Sequence, residues 1–316
     1  MSLIRSAAEL TLQQHVKMLI YGQPGMGKTT LALSAPKPLL FDFDGGIHRV
    51  NFQHLDGVDT VQVSSWEDFV QVLEEDLSKY ESLVIDTGGK CLDYMGEYIM
   101  RTKPKMKRGA GSLTLQGYRE RKGMFSELIK QVSLMKKHII FVAHRETKTE
   151  GDDTRYVPQF GGSNYDSLVT ELDLVGYLEA DGTKRTITFN PSSRNDGKNT
   201  CNLAPMLKVP VLIDADGKSV QDNVFLEHVI GIYDKRIQDQ QNLGAKYRER
   251  VQTIREHIAN ISTAEDANLF IESIAEYNHV GNSKLLAAKE LRAKAKALGL
   301  TFNKKTKEYE EEGQTV

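Results

Sequence analysis

Apolar residues in the first half of the chain gather in short blocks separated by longer amphipathic stretches. Residues 16–21, 38–43 (PLLFDF) and 138–143 (HIIFVA) are continuous apolar runs of the length that buried strands use. Residues 83–86 (LVID) form another, ending in an acid, and 58–63 alternates weakly as a further strand. Between them, 66–77 places Phe69, Val70, Leu73 and Leu77 at helical spacing, and 118–135 places Phe125, Leu128, Ile129 and Val132 on one stripe. Strands alternating with helices predict a mostly parallel, doubly wound α/β sheet.

Beyond residue 170 the pattern changes. Residues 172–179 and 185–189 read as two strands joined by the turn Ala180-Asp181-Gly182, a hairpin. From about residue 222 the text is helical, with three stripes: Val251, Ile254, Ile258 and Ile261; Ala267, Phe270, Ile271, Ile274 and Tyr277; and Ala288, Leu291, Ala295 and Leu298. Thr263 with Asp266 resembles a capping box opening the middle helix. These boundaries predict an α/β core over 1–205, a connection over 206–221, a small C-terminal helical appendage over 222–303 and a flexible tail over 304–316.

Composition narrows the class only a little. The 316 residues include 41 Lys and Arg against 43 Asp and Glu, a net charge of −2, which conceals local asymmetry. Two cysteines, Cys91 and Cys201, stand far apart, so neither a disulfide framework nor a zinc site is expected. No apolar stretch is long enough to span a bilayer and the N-terminal residues lack a signal pattern, so a cytoplasmic protein with no membrane partner is expected.

The candidate chemistry begins at residues 22–29, GQPGMGKT, a full match to the phosphate-loop (Walker A) pattern G-x-x-x-x-G-K-[ST]. It lies between an apolar strand and a helix-compatible run, where its chemistry requires it. Gly22, Gly25 and Gly27 let the backbone N–H groups turn toward phosphate oxygens, with Gln23, Pro24 and Met26 completing the turn. Lys28 supplies a point positive charge, the Thr29 hydroxyl is placed to ligand Mg²⁺, and Thr30 follows. A nucleoside triphosphate is the expected ligand.

Hydrolysis needs a second acid for the metal, a group that orients water and a sensor of the γ-phosphate. Asp86, ending an apolar strand, fits the metal-assisting acid, and Thr87, not Glu, follows it. Asp44 is the best substitute for the absent glutamate, because it ends the strand after the phosphate-loop helix. Asp42 competes with it from the same side of the strand, one step deeper, and Asp44-Gly45-Gly46 also reads as a plain tight turn. His144 leaves its strand where a sensing side chain belongs.

The order GQPGMGKTT, LLFDFDGG, LVIDT, IIFVAH resembles the RecA-like recombinase core over about residues 14–200. More closely, it is similar to the short phage-encoded P-loop ATPases of that type, including the Sak-type single-strand-annealing group. The resemblance implies an ATP- and Mg²⁺-dependent ATPase acting in phage DNA recombination, located in the bacterial host cytoplasm. Lys28, Asp44, Asp86 and His144 would be its catalytic residues, and Thr29 with Asp86 its metal site. Two departures stand out: Asp44 is one carbon shorter than the usual glutamate, and His144 replaces the usual glutamine.

The same resemblance gives meaning to the basic segments. Residues 101–122 hold eight Lys or Arg against one acid, Glu120, and read as a mobile loop in the interval of the family's first DNA-contacting loop. Arg101, Lys103, Lys105, Lys107 and Arg108 are the candidates there, beside the plainer reading of a solvated charge run. The second such loop would be 145–165, with Arg145, Lys148 and Arg155, and with Tyr156, Phe160 and Tyr165 to stack on bases. Its acids Glu150, Asp152 and Asp153 oppose uniform phosphate contact, and Phe160-Gly161-Gly162 reads equally as an anchor with a hinge. Arg194 and Lys198 are candidate trans fingers toward a neighbouring subunit, and Lys289, Arg292 and Lys296 form a basic face on the last helix.

Three functions remain open on the sequence. One is a DNA-stimulated ATPase that coats or anneals single-stranded DNA, self-associating in a ring or filament, with a single-strand-binding or replication protein as a further partner. Another is a nucleotide-switched protein-interaction module with slow hydrolysis. The third is a small-molecule P-loop kinase using 101–122 as a lid.

Overall fold

A computed structural model describes residues 15–151, 153–161, 163–214 and 216–311. Asp152, Gly162 and residues 312–316, which belong to the expected loop, hinge and tail, lie outside the described residues. In chain order the elements are β1 (Lys17–Gly22), α1 (Lys28–Ala32), β2 (Pro38–Asp42), β3 (Asp59–Gln62), α2 (Trp66–Leu73), β4 (Ser82–Asp86), α3 (Gly88–Thr102) and α4 (Leu115–Leu134). They continue with β5 (His138–Glu150), β6 (Asp153–Pro158), α5 (Ser163–Glu171), β7 (Leu174–Asp181), β8 (Lys184–Thr188), β9 (Lys198–Asn199) and β10 (Met206–Val209). Last come α6 (Phe225–Ala259), α7 (Ala264–Ile274), α8 (Ser283–Ala297), β11 (Leu300–Asn303) and β12 (Glu308–Glu311). The chain divides into two compact units, one ending at Asp234 and the other beginning at Lys235.

The first unit is built on a ten-stranded sheet in the order β10-β8-β7-β1-β5-β4-β2-β3, with β6 beside β5 and β9 beside β7. Strands β7, β1, β5, β4, β2 and β3 pair in parallel; β8, β10, β6 and β9 pair antiparallel. This is the expected α/β RecA-like core. Both sheet faces are buried, which is why the strands read as unbroken apolar runs. Leu19, Tyr21, Phe41, Ile85 and Phe141 point to one face and pack under α2 to α5. Met18, Ile20, Leu40, Val84 and Val142 point to the other, with Leu31 of α1 and Leu226, Val229 and Ile230 of α6.

Several expectations change here. Residues 206–209 of the expected connection are β10, an edge strand paired with β8. The polar stretch after His144 is not a loop: β5 runs on to Glu150 and returns as β6, with Arg145 opposite Pro158 and Lys148 opposite Arg155. Phe160 is an anchor and not a base-stacking group, being 1% exposed among Phe125 and Phe141. Its ring lies so close to Gly88 that a Cβ there would sit 2.0 Å from it, so glycine at the start of α3 is what admits the anchor. The basic 101–122 segment is also ordered. A one-turn helix (Pro104–Met106) and a bridge between Lys107 and Leu113 shape it, and Leu113 is buried.

The second unit has its own core, in which Ile254, Ile258, Ile261, Phe270, Ala287, Leu291 and Ala295 meet Leu300 and Tyr309. The capping box of Thr263 and Asp266 opens α7. On α8 the buried stripe runs through Ala287, while Ala288 is exposed. Residues 308–311 of the expected tail are instead β12, paired with β11. Both cysteines are buried, and neither forms a disulfide.

At the start of β5, His138 Nδ1 accepts a hydrogen bond of 3.0 Å from the Val16 N–H. Burial, with His15 adding to it, pushes the His138 pKa down to about 4. The unfolded chain then binds the extra proton between about pH 6.5 and pH 4, so stability held above that window is lost as pH falls through it. Wild type is expected to lose roughly 3 kcal/mol more than His138→Asn between pH 7 and pH 4. Parallel urea-unfolding curves across that range would show it; superimposable pH slopes would refute it.

Candidate functional site

Parallel pairing puts the strand ends that carry polar residues on one edge. Gly22 at the end of β1 is level with His144 of β5, and Asp42 of β2 is level with Asp86 of β4. Strand β5 separates β1 from β4, leaving a gap between the phosphate loop and Asp86 at the carboxyl edge, where open α/β sheets place ligands. The loop turns into α1 through Gly27 at φ 84° and ψ 28°, a left-handed conformation that side chains resist.

The Lys28 Nζ reaches back to the Gln23 carbonyl at 2.8 Å. Burial lowers its pKa, while Asp86 and Asp44 act in the opposite sense. The Thr29 hydroxyl donates to Asp86 Oδ2 in a short hydrogen bond. Asp86 is buried, and its pKa is pushed up to about 6 by burial; the Thr29 bond opposes this, and Asp44 and Asp42 reinforce it. A hydroxyl and a carboxylate side by side are hard oxygen donors of the kind Mg²⁺ takes. Among the described residues no cluster of three His, Cys, Asp or Glu offers a rival metal site.

Asp42 and Asp44 differ in environment. Asp42 is 3% exposed and accepts from the Gly46 and Ile47 N–H groups at 3.0 and 3.1 Å, so its carboxylate caps the turn after β2. Asp44 is half-buried and interacts electrostatically with Lys28, Asp86 and His144. His144 is half-buried with Nδ1 unpartnered among the described residues, and burial and Lys28 lower its pKa. Thr87, at the position where many P-loop hydrolases carry a glutamate, accepts from the Lys90 N–H and opens α3; the Asp86–Thr87 peptide is cis.

The basic candidates are distributed unevenly. Arg101 pairs with Glu67 and Lys103 with Glu120. Lys105, Lys107 and Arg108 are exposed and form no ion pair among the described residues. Arg121 turns inward, where burial lowers its pKa and its Nε has no partner among the described residues. On the β5–β6 hairpin, Arg145 lies 4.0 Å from the centre of the Tyr156 ring and donates to the Tyr177 hydroxyl at 3.1 Å. Arg155 pairs with Asp196 at 2.6 Å, and Tyr165 also hydrogen-bonds Asp196. Arg194 stacks on Tyr156 as well, 5.2 Å from its centre. Lys198 donates to the Val169 and Thr170 carbonyls at 2.7 and 3.1 Å, so in this arrangement it is tied to its own subunit.

Sequence reasoning does not anticipate three residues near the loop. Arg185 Nε donates to the Met26 carbonyl at 3.1 Å, bracing the loop from 159 positions away. Asn223 donates to the Thr30 carbonyl at 2.7 Å. Arg49 lies near enough to His144 to lower its pKa further. A cavity of about 270 Å³ opens beside the loop, lined by Met26, Thr30, Arg49 and Arg185 with Val209 and Asn223. A second, of about 390 Å³, is lined by Thr87, Lys90, Arg121, His144 and Gln159.

A phosphate loop, a buried acid on a non-adjacent strand and polar groups between them define a P-loop ATPase domain of RecA-like type. Residues 14–201 match the AAA domain family, and the chain belongs to it. No curated protein matches significantly. Among solved structures, the chain is similar to the KaiC-like protein PH0186 from Pyrococcus horikoshii OT3 at 14% identity, over 55% of this chain and 77% of that one, with a TM-score of 0.33. It is similar to the flagellar accessory protein FlaH from Methanocaldococcus jannaschii at 11%, over 55% and 76%, with a TM-score of 0.32. It is also similar to a further solved ATPase domain at 11%, over 66% and 85%, at 0.39. Likeness this distant carries nothing further.

Because Arg185 holds the loop through one charge-assisted bond, Arg185→Met is expected to weaken nucleotide binding roughly five- to tenfold. Titration with a fluorescent ATP analogue, beside a thermal melt, checks it; unchanged affinity would show that the brace is dispensable.

Proposed function

We propose that the chain is a Mg²⁺-dependent ATPase, stimulated by single-stranded DNA, that works as an oligomer in phage DNA recombination or single-strand annealing. The observation that supports the ATPase part of this reading is the meeting of Lys28, Thr29 and Asp86 with Asp44 and His144 at one sheet edge. In this reading Lys28 and the loop N–H groups hold the β- and γ-phosphates. Thr29 and Asp86 would hold Mg²⁺, which neutralises phosphate charge when bound. Asp44 orients the attacking water and accepts its proton, and His144 feels the γ-phosphate and passes its loss to the β5–β6 hairpin. Lys105, Lys107 and Arg108 are the exposed cations through which DNA acts on turnover. Arg194 is the finger candidate toward a neighbouring subunit.

The base and ribose are assigned to the cavity of about 270 Å³ beside the loop. Arg49 and Arg185 line it as hydrogen-bond donors for ribose and base acceptors, and Val209, Leu212 and Phe225 supply apolar surface. Val211 lines the same cavity at 41% exposure. Val211→Trp is therefore expected to weaken ATP binding while leaving competition by inorganic tripolyphosphate unchanged; equal losses for both would reject the assignment.

ATP hydrolysis measured with and without single-stranded DNA across a salt series tests the main reading. Stimulation that fades with salt and vanishes in Lys28→Ala is expected. Asp44→Asn should keep ATP affinity and lose turnover on the order of a hundredfold. Rates unmoved by DNA, with no DNA binding at low salt, would sink the DNA-stimulated reading. They would favour a slow nucleotide switch, which the short Asp44 side chain also suits.

A further inference from the structure

In the unit beginning at Lys235, α8 buries Ser283, Ala287, Leu291 and Ala295. Positions 289, 292 and 296 are spaced to share one helix face, and Lys289, Arg292 and Lys296 are all exposed. They extend over about 10 Å of axis. The β11–β12 hairpin then turns through Lys304, Lys305 and Lys307, also exposed. Helix and hairpin pack on one another: Leu291 and Ala295 of α8 share a core with Leu300 and Tyr309 of the hairpin.

Over 283–307 there are eight Lys or Arg and one acid, Glu290, and Glu290 is already paired with Arg255. None of the six cations named above forms an ion pair among the described residues. In the nucleotide-binding unit Arg101, Lys103 and Arg155 are neutralised by acids of their own chain, leaving Lys105, Lys107 and Arg108 as three exposed cations of its basic loop without an ion pair among the described residues. Beside the lysine turn, Phe302 is 47% exposed.

We infer that the cationic face of α8 and the β11–β12 turn is the chain's principal surface for single-stranded nucleic acid. Unpaired lysines and arginines grip a phosphodiester backbone by releasing its counterions and read no sequence. The exposed Phe302 ring suits an unstacked base, which a single strand offers and a duplex hides. The choice of partner rests on the DNA-dependent reading above, whereas the surface itself stands on charge and geometry. Glu308 follows Lys307 directly, and with Glu310 and Glu311 on β12 it bounds the cationic surface on that side.

The test uses the full chain and a fluorescent oligo-dT of about 30 nucleotides, titrated across a salt series. Two triple variants, Lys289→Gln/Arg292→Gln/Lys296→Gln and Lys304→Gln/Lys305→Gln/Lys307→Gln, are each expected to weaken binding about tenfold or more. Each should flatten the log–log salt slope by about two. The core variant Lys105→Gln/Lys107→Gln/Arg108→Gln, in the loop through which DNA acts on turnover, should weaken binding less than either C-terminal variant while losing DNA stimulation of ATP hydrolysis. ATP affinity should hold in both C-terminal variants, and the charge-keeping Lys289→Arg/Lys296→Arg should bind as wild type, separating charge from misfolding. Loss confined to the core variant would overturn the inference, as would competition by polyglutamate or duplex DNA equal to that by oligo-dT. Absence of DNA binding by wild type at low salt would overturn both this surface and the DNA part of the proposed function, while intact ATP binding would leave the nucleotide site standing.

Discussion

Parallel pairing of β1, β5, β4 and β2 brings four carboxyl ends to one edge, and the rest of the molecule follows from that alignment. Strands buried on both faces have no room for polar side chains along their length. Polar groups are therefore admitted only where the parallel ladders stop, and Gly22, Asp42, Asp86 and His144 sit at their last rungs. The register does the collecting: residues far apart in sequence become neighbours because their backbones share a ladder, as Gly22 and His144 do.

Electrostatics at that edge are poised around an excess of acid. Asp42, Asp44 and Asp86 gather with Lys28, and burial of Asp86 makes its negative charge costly. The hydroxyl of Thr29 relieves part of this. Asp42 is removed from competition by two backbone N–H groups, leaving Asp44 as the acid with its carboxylate uncommitted to the turn. Thr87 also has a structural task at the start of α3, which accounts for a threonine at that position without any role in hydrolysis.

How much of this is legible depends on whether the signal is contiguous. The phosphate loop and the strands around Leu19, Phe41, Ile85 and Phe141 declare themselves in consecutive residues. Helix α3 escapes notice because its stripe of Cys91, Leu92, Met95 and Ile99 is diluted by Gly88, Gly89 and Gly96. The continuation of β5 through Arg145, Thr147 and Thr149 is polar on both sides, so no hydrophobic period marks it as a strand. Strands β10 and β12 are each four residues long, and their pairing, not their composition, makes them strands. Arg185, Asn223 and Arg49 reach the loop only through tertiary placement, and nothing local in their segments points there.

The two cysteines give the fold a chemical property of another kind. Cys91 faces the packed side of α3 and Cys201 lies under the opposite sheet face, both fully buried. Burial raises the Cys91 thiol well above its ordinary pKa, so little of it exists as the reactive thiolate. Alkylating reagents and mild oxidants therefore meet a native surface with no accessible sulfhydryl among the described residues. A cysteine introduced at an exposed helical position such as Ser133 would be the sole fast-reacting thiol, and a spectroscopic probe attached there would report from one known place.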